Sequence, residues 1–127
     1  MTNGKKTILI IEDETDLRQL IKSKLMNEGF NILEAGDGKV ALETAKSQHP
    51  DIILLDIILP TMDGISMLKE LRQDEWGKNV PVIILSNLSE AETISESVEK
   101  NVCDYLVKAD WEPDDIVALI RKKLGKA

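Results

Sequence analysis

The chain holds a single cysteine, Cys103. It can neither close an internal disulfide nor build a cysteine metal cage, and it reads as a small core residue. Positive charge is scarce too: 16 lysines and arginines face 23 acids, and the net charge of −7 argues against binding nucleic acid by phosphate neutralisation. Long apolar runs are missing. The longest, Ile52 to Leu59, is interrupted by Asp56 and halted by Pro60, so it cannot span a bilayer. The first residues, Met1 to Lys6, lead into only a short apolar run and carry no signal-peptide pattern. Internal repeats, low-complexity stretches and linkers are lacking as well. What remains is 127 residues, 43% hydrophobic and 31% charged, which is neither a disordered nor a fibrous composition. It suits one core of roughly 100–150 residues, and predicts an acidic, cytoplasmic, single-domain protein occupying residues 5–125.

Two periodicities alternate along the chain. Thr7-Ile-Leu-Ile-Ile11, Asp51-Ile-Ile-Leu-Leu-Asp56 and Pro81-Val-Ile-Ile-Leu85 are continuous apolar runs, the pattern of strands buried on both faces. Phe30 to Glu34 and Asp104 to Val107 are weaker strands. Between them, Leu17, Leu20, Ile21 and Leu25 line a first helix that Gly29 ends; Val40, Ala41, Thr44 and Ala45 line a second; Ile65, Met67, Leu68 and Leu71 line a third. Ser89-Glu-Ala-Glu92 matches a capping box and opens a fourth helix with a thin stripe of Ala91, Ile94 and Val98. Pro113 suits the first turn of a fifth helix, continued by Ile116, Val117, Ile120 and Leu124. Five strands alternating with five helices predict an α/β fold: one doubly wound parallel sheet covered on both faces.

Open α/β sheets bind ligands beyond the carboxyl ends of their strands. Here those ends carry Glu12, Asp13 and Glu14 after the first strand, Asp56 at the third, Ser86 and Asn87 after the fourth, and Lys108 after the fifth. Gathering Glu12, Asp13 and Asp56 is costly unless a cation sits among them, because two charges about 4 Å apart interact by roughly 4 kcal/mol at an effective dielectric near 20. Few, hard oxygen ligands suit Mg²⁺, which keeps several waters and prefers phosphate company. Lys108 is a mobile point charge for a phosphoryl oxygen, Ser86 a hydroxyl donor for another, and Asp56 a carboxylate nucleophile able to become an aspartyl phosphate.

Taken singly, each residue has a plainer reading. Glu12 to Asp16 could be an acidic helix start, Asp56 a strand-end cap, Lys108 a surface lysine and Ser86 a turn residue. Their joint placement on one rim favours chemistry, since independent accidents would scatter over both ends of the sheet. His49, at the opposite end, reads as a solvated turn residue. Met26, Met62 and Met67 read as packing, Trp76 has no assigned role, and the basic tail from Arg121 reads as a favourable helix C-terminus.

Four stretches together carry a resemblance: Ile8-Leu-Ile-Ile-Glu-Asp-Glu14, Asp51-Ile-Ile-Leu-Leu-Asp-Ile-Ile-Leu-Pro-Thr-Met-Asp-Gly64, Pro81-Val-Ile-Ile-Leu-Ser86 and Asp104-Tyr-Leu-Val-Lys108. Over essentially its whole length the chain resembles the receiver domain of two-component response regulators. The resemblance implies a flavodoxin-like sheet of order 2-1-3-4-5. It implies that Asp56 accepts phosphate from a sensor histidine kinase or a histidine phosphotransfer protein, and that Mg²⁺ is held by Asp13 directly, Glu12 through water, Asp56 and the main-chain carbonyl of Ile58. Ser86 and Lys108 would hold phosphoryl oxygens. Ser86 and Tyr105 would form the switch that reshapes the surface of the fourth helix, fifth strand and fifth helix for a downstream protein target, a charge-driven bias on a two-state loop. Such a module phosphorylates and dephosphorylates itself and is not an enzyme acting on an external substrate. It would be a monomer or a phosphorylation-dependent dimer, with no direct nucleic-acid or membrane partner.

Three positions depart from the family pattern. Ala109 follows Lys108 where proline is usual, which predicts a trans bond or a rearranged loop, since a non-proline cis bond costs roughly 3 kcal/mol or more. Asn87 stands where a small residue is common, and Glu12 where Asp is also common. Ile58 and Leu88, two residues beyond Asp56 and Ser86, are apolar and bulky, which predicts a long-lived aspartyl phosphate because neither can orient water. Two rival functions are a Mg²⁺-dependent phosphohydrolase, which would want a general acid where Ile58 stands, and a phosphorylation-independent scaffold. The chain is expected to be either a stand-alone regulator working by protein contact or a receiver cut from a longer chain.

Overall fold

Thr7–Ile11 forms β1, and its side chains alternate between two cores: Leu9 and Ile11 enter one, Ile8 and Ile10 the other. The same alternation runs through β3 (Ile52–Asp56) and β4 (Val82–Ser86), so the continuous apolar runs of the sequence are period-two patterns with both faces covered. A computed structural model gives the arrangement and describes residues 5–56, 59–86, 104–107 and 112–125, with Ser86 and 104–107 described by their backbone. Two further strands, β2 (Asn31–Ala35) and β5 (Asp104–Val107), complete a five-stranded parallel sheet of order β2-β1-β3-β4-β5. Strand order and fold class are those expected.

The helices follow from where the chain must cross. α1 (Thr15–Asn27) and a C-terminal helix (Pro113–Lys123) cover the face holding Ile8, Ile10 and Leu54; α2 (Gly38–Gln48) and α3 (Gly64–Gln73) cover the face holding Leu9, Leu55 and Ile84. The connection from β1 to β2 runs one way along the sheet and the connection from β2 to β3 runs back the other way past β1, so right-handed crossovers put α1 and α2 on opposite faces. The fourth helix expected from Ser89 lies outside the described residues, as do Cys103 and the bond following Lys108.

Local chemistry sets the helix ends. Asp37 caps α2 by accepting from the Val40 amide at 2.8 Å, and Asp63 caps α3 by accepting from the Ser66 amide at 2.9 Å. Pro113 occupies the first turn of the C-terminal helix as expected, and the Asp115 carboxylate accepts from the Glu112 amide at 2.7 Å. Two side chains of the expected stripes, Leu20 and Val40, and Met26, expected to pack, lie at the surface instead. Leu20, Met26 and Val40 are 53%, 55% and 47% exposed, because the buried rows centre on Ile21 and Leu25 in α1 and on Ala41, Leu42 and Ala45 in α2. His49 is an exposed residue at φ 48°, as a turn requires, but its ring also stacks on Trp76 with centroids 4.5 Å apart.

Candidate functional site

The site begins where β1 and β3 end side by side. These strands pair in register, with Ile11 opposite Leu55, and β1 has β2 on its other flank. Strand order therefore reverses at β1, and the crevice of such sheets opens above its carboxyl end. Glu12 is the first residue beyond β1 and is 1% exposed; Asp56 closes β3 and is 5% exposed; Asp13 is exposed. One carboxylate oxygen from each of Glu12, Asp13 and Asp56 lies within 4.8 Å of the others. At that spacing two unit charges repel by roughly 3 kcal/mol at an effective dielectric near 20, and two of the three are shielded from bulk water. A trio of hard oxygen donors with one side open is the donor chemistry of a Mg²⁺ site completed by water and phosphate.

The turn after β1 is held at several points. The Glu12 amide donates to the Ala35 carbonyl at 3.1 Å, and the Glu14 amide donates to Oε2 of Glu12 at 3.2 Å. Arg18 Nη1 donates to the main-chain carbonyl of Glu12 at 2.7 Å. Its Nε reaches Glu34 at 3.1 Å, while Lys22 reaches the other oxygen of Glu34 at 2.7 Å. The Lys22 ammonium above all, with Arg18 beside it, holds the Glu34 carboxyl below the usual carboxylate range against the opposing effect of its desolvation. Sequence reading passed over Arg18 and Glu34: each looks like an ordinary charged residue until β1 and β2 are paired.

On the far side of the crevice, the segment leaving β3 is braced against α2. Thr61 Oγ1 donates to Asp37 at 3.0 Å from a residue at φ 63°, and the Gly38 amide donates to the Pro60 carbonyl at 3.3 Å. Gly38 is required by this approach, since a Cβ there would overlap the carbonyl of Met62. The Val40 amide, chiefly, lowers the Asp37 pKa, and the Ser66 amide does the same for Asp63. Ser86 ends β4 beside Val107 of β5, and Asp56 pairs with Leu85, so the backbone brings the end of β4 to the same rim. Tyr105 lies within β5 opposite Ile84. Lys108, Ile58, Asn87 and Leu88 lie outside the described residues.

With that geometry in place, kinship is decided by a family model, "Response regulator receiver domain", which matches residues 8–121. The chain belongs to this family. This receiver is 34% identical over 122 residues to "Probable transcriptional regulator ycf27" of Porphyridium aerugineum, covering 96% of the chain and 49% of that protein. It is 32% identical over 126 residues to "DNA-binding response regulator MtrA" of Mycobacterium tuberculosis, covering 99% of the chain and 54% of MtrA. The receiver thus spans about half the length of these curated relatives. Among solved structures it is similar to a putative response regulator from Chloroflexus aurantiacus, with TM-score 0.88, 26% identity and coverage of 97% and 100% of the two chains. It is also similar to the receiver domain of sensor histidine kinase PA1611 from Pseudomonas aeruginosa, which has a magnesium ion coordinated in its active site cleft; TM-score is 0.86, identity 28% and coverage 97% and 100%.

Proposed function

We propose that this receiver accepts a phosphoryl group on Asp56 from a sensor histidine kinase or histidine phosphotransfer protein, and that the modification changes its surface for a downstream protein. The observation that carries the reading is the convergence of Glu12, Asp13 and Asp56 at the reversal point of the sheet. An oxygen of the Asp56 carboxylate attacks phosphorus, the bond from phosphorus to the donor's imidazole nitrogen breaks, and its electron pair stays on that nitrogen. Glu12, Asp13, Asp56 and the main-chain carbonyl of Ile58 would hold Mg²⁺, which neutralises charge on the carboxylates and the phosphoryl oxygens when bound. Ser86 and Lys108 hold phosphoryl oxygens. The switch consists of Ser86 and Tyr105, acting on the surface around β5 and its flanking helices.

The functional unit is residues 5–125, slightly wider than the matched 8–121. As a receiver it is a signalling module, and its own chemistry is limited to phosphoryl acceptance and loss at Asp56. Among the described residues no helix is long and apolar enough to cross a membrane, and a cytoplasmic site of action follows from the proposed kinase. The relatives whose names speak of transcription and DNA are about twice this length; within these 127 residues the net charge of −7 argues against holding a phosphate backbone.

Incubation with Mg²⁺ and phosphoramidate, followed by intact-mass measurement, tests the proposal. The expected result is the mass gain of one phosphoryl group in the unaltered chain and none in Asp56→Ala. No gain in either protein would favour the scaffold reading. Continuous turnover of a small phosphate ester would favour the phosphohydrolase.

A further inference from the structure

We propose that Arg18 is a positioning residue for the acidic site, a guanidinium clamp that fixes the Glu12–Asp13 turn against β2. The inference rests on the reading that Glu12, Asp13 and Asp56 hold Mg²⁺. Arg18 sits in the first turn of α1 with its side chain 19% exposed. One arm donates to the Glu12 carbonyl at 2.7 Å, and another part of the same rigid fork donates to Glu34 at 3.1 Å. Glu34 is a firm anchor, since Gln19 and Lys22 also donate to it at 3.0 and 2.7 Å. Both main-chain polar groups of Glu12 are thereby tied to β2: its amide directly to Ala35, its carbonyl through Arg18 to Glu34.

The physical need for such a clamp is plain. Carboxylates of Glu12, Asp13 and Asp56 share a space 4.8 Å across, and a loose turn would relieve their repulsion by swinging Glu12 and Asp13 outward. A metal site whose ligands must first be drawn back together binds more weakly than one held ready, as is general when outer contacts that orient ligands are removed. Lysine cannot replace arginine here, because one ammonium lacks the planar fork that spans both acceptors.

Calorimetric titration of the whole chain with Mg²⁺ tests the clamp. Arg18→Met is expected to weaken binding about tenfold, and Arg18→Lys to recover only part of the loss. Glu34→Ala should weaken binding too, and combining it with Arg18→Met should do no more than the larger single change, because the two residues act as one unit. Arg121→Met serves as a control: it removes a comparable ion pair, Arg121 to Glu28 at 2.9 Å, at the end of α1 away from the site, and should leave the affinity unchanged. Unchanged affinity in Arg18→Met, or full affinity in Arg18→Lys should the methionine variant not fold, overturns the clamp and leaves the metal reading standing. Absence of Mg²⁺ binding by the unaltered chain instead overturns the metal reading itself.

Discussion

Asp56 ends a strand whose other four residues are fully buried and apolar, and is itself only 5% exposed. A carboxylate in that position, with Glu12 and Asp13 nearby, is the basis for the proposal that the folded chain prefers a divalent cation. Folding and binding are therefore linked. Mg²⁺ at ten times its dissociation constant should stabilise the receiver by about 1.4 kcal/mol in urea unfolding, and Asp13→Ala should remove most of that increment. Two sequence positions are proposed to set the lifetime of the phosphate. Ile58 and Leu88 offer no side chain that can orient water, so Ile58→Asn with Leu88→Glu should shorten the lifetime of the phosphorylated form, read as the decay of the phosphoryl mass. An unchanged decay would contradict the role given to these two positions.

At the scale of elements, two capped helix starts frame the segment that leaves β3. Asp63 accepts from both the amide and the hydroxyl of Ser66, each at 2.9 Å, and Asp63→Ala should cost about 1 kcal/mol in denaturant unfolding. Because these bonds favour the charged carboxylate, the Asp63 pKa is lowered on folding. Its contribution is present above the ordinary carboxylate range and is lost as pH falls through the lowered value; Asp63→Asn should flatten that acid-side slope while keeping a cap. The contact between α2 and the Pro60–Met62 segment is equally specific. Gly38→Ala should destabilise the fold by roughly 1–3 kcal/mol, since its new methyl would meet the Met62 carbonyl rather than a flexible side chain.

For the whole molecule, two apolar cores on either side of one sheet provide the rigid base from which the site projects. Leu54→Ala, at a position with 0% exposure, should cost about 2–5 kcal/mol. The layout was legible in sequence because each buried strand is a short apolar run ended by a chemically distinct residue, as in Ile52 to Asp56. The convergence of Glu12 with Asp56 followed once strand order was known. Less legible were contacts between residues far apart in sequence. The Arg18–Glu34 bridge depends on the register of β1 against β2, and the His49–Trp76 stack on how the turn after α2 meets the turn after α3. Exposure of Leu20 and Val40 shows the same limit at helix edges, where the apolar period does not say which boundary residue meets the sheet.

The crevice at the ends of β1 and β3 is proposed to hold a divalent cation beside a phosphoryl group on Asp56. A crystal structure of the receiver with Mg²⁺ and beryllofluoride tests this most directly. Beryllofluoride is expected on the Asp56 carboxylate, with Mg²⁺ held by Glu12, Asp13 and Asp56. An empty crevice, with these three carboxylates pointing apart, would contradict it.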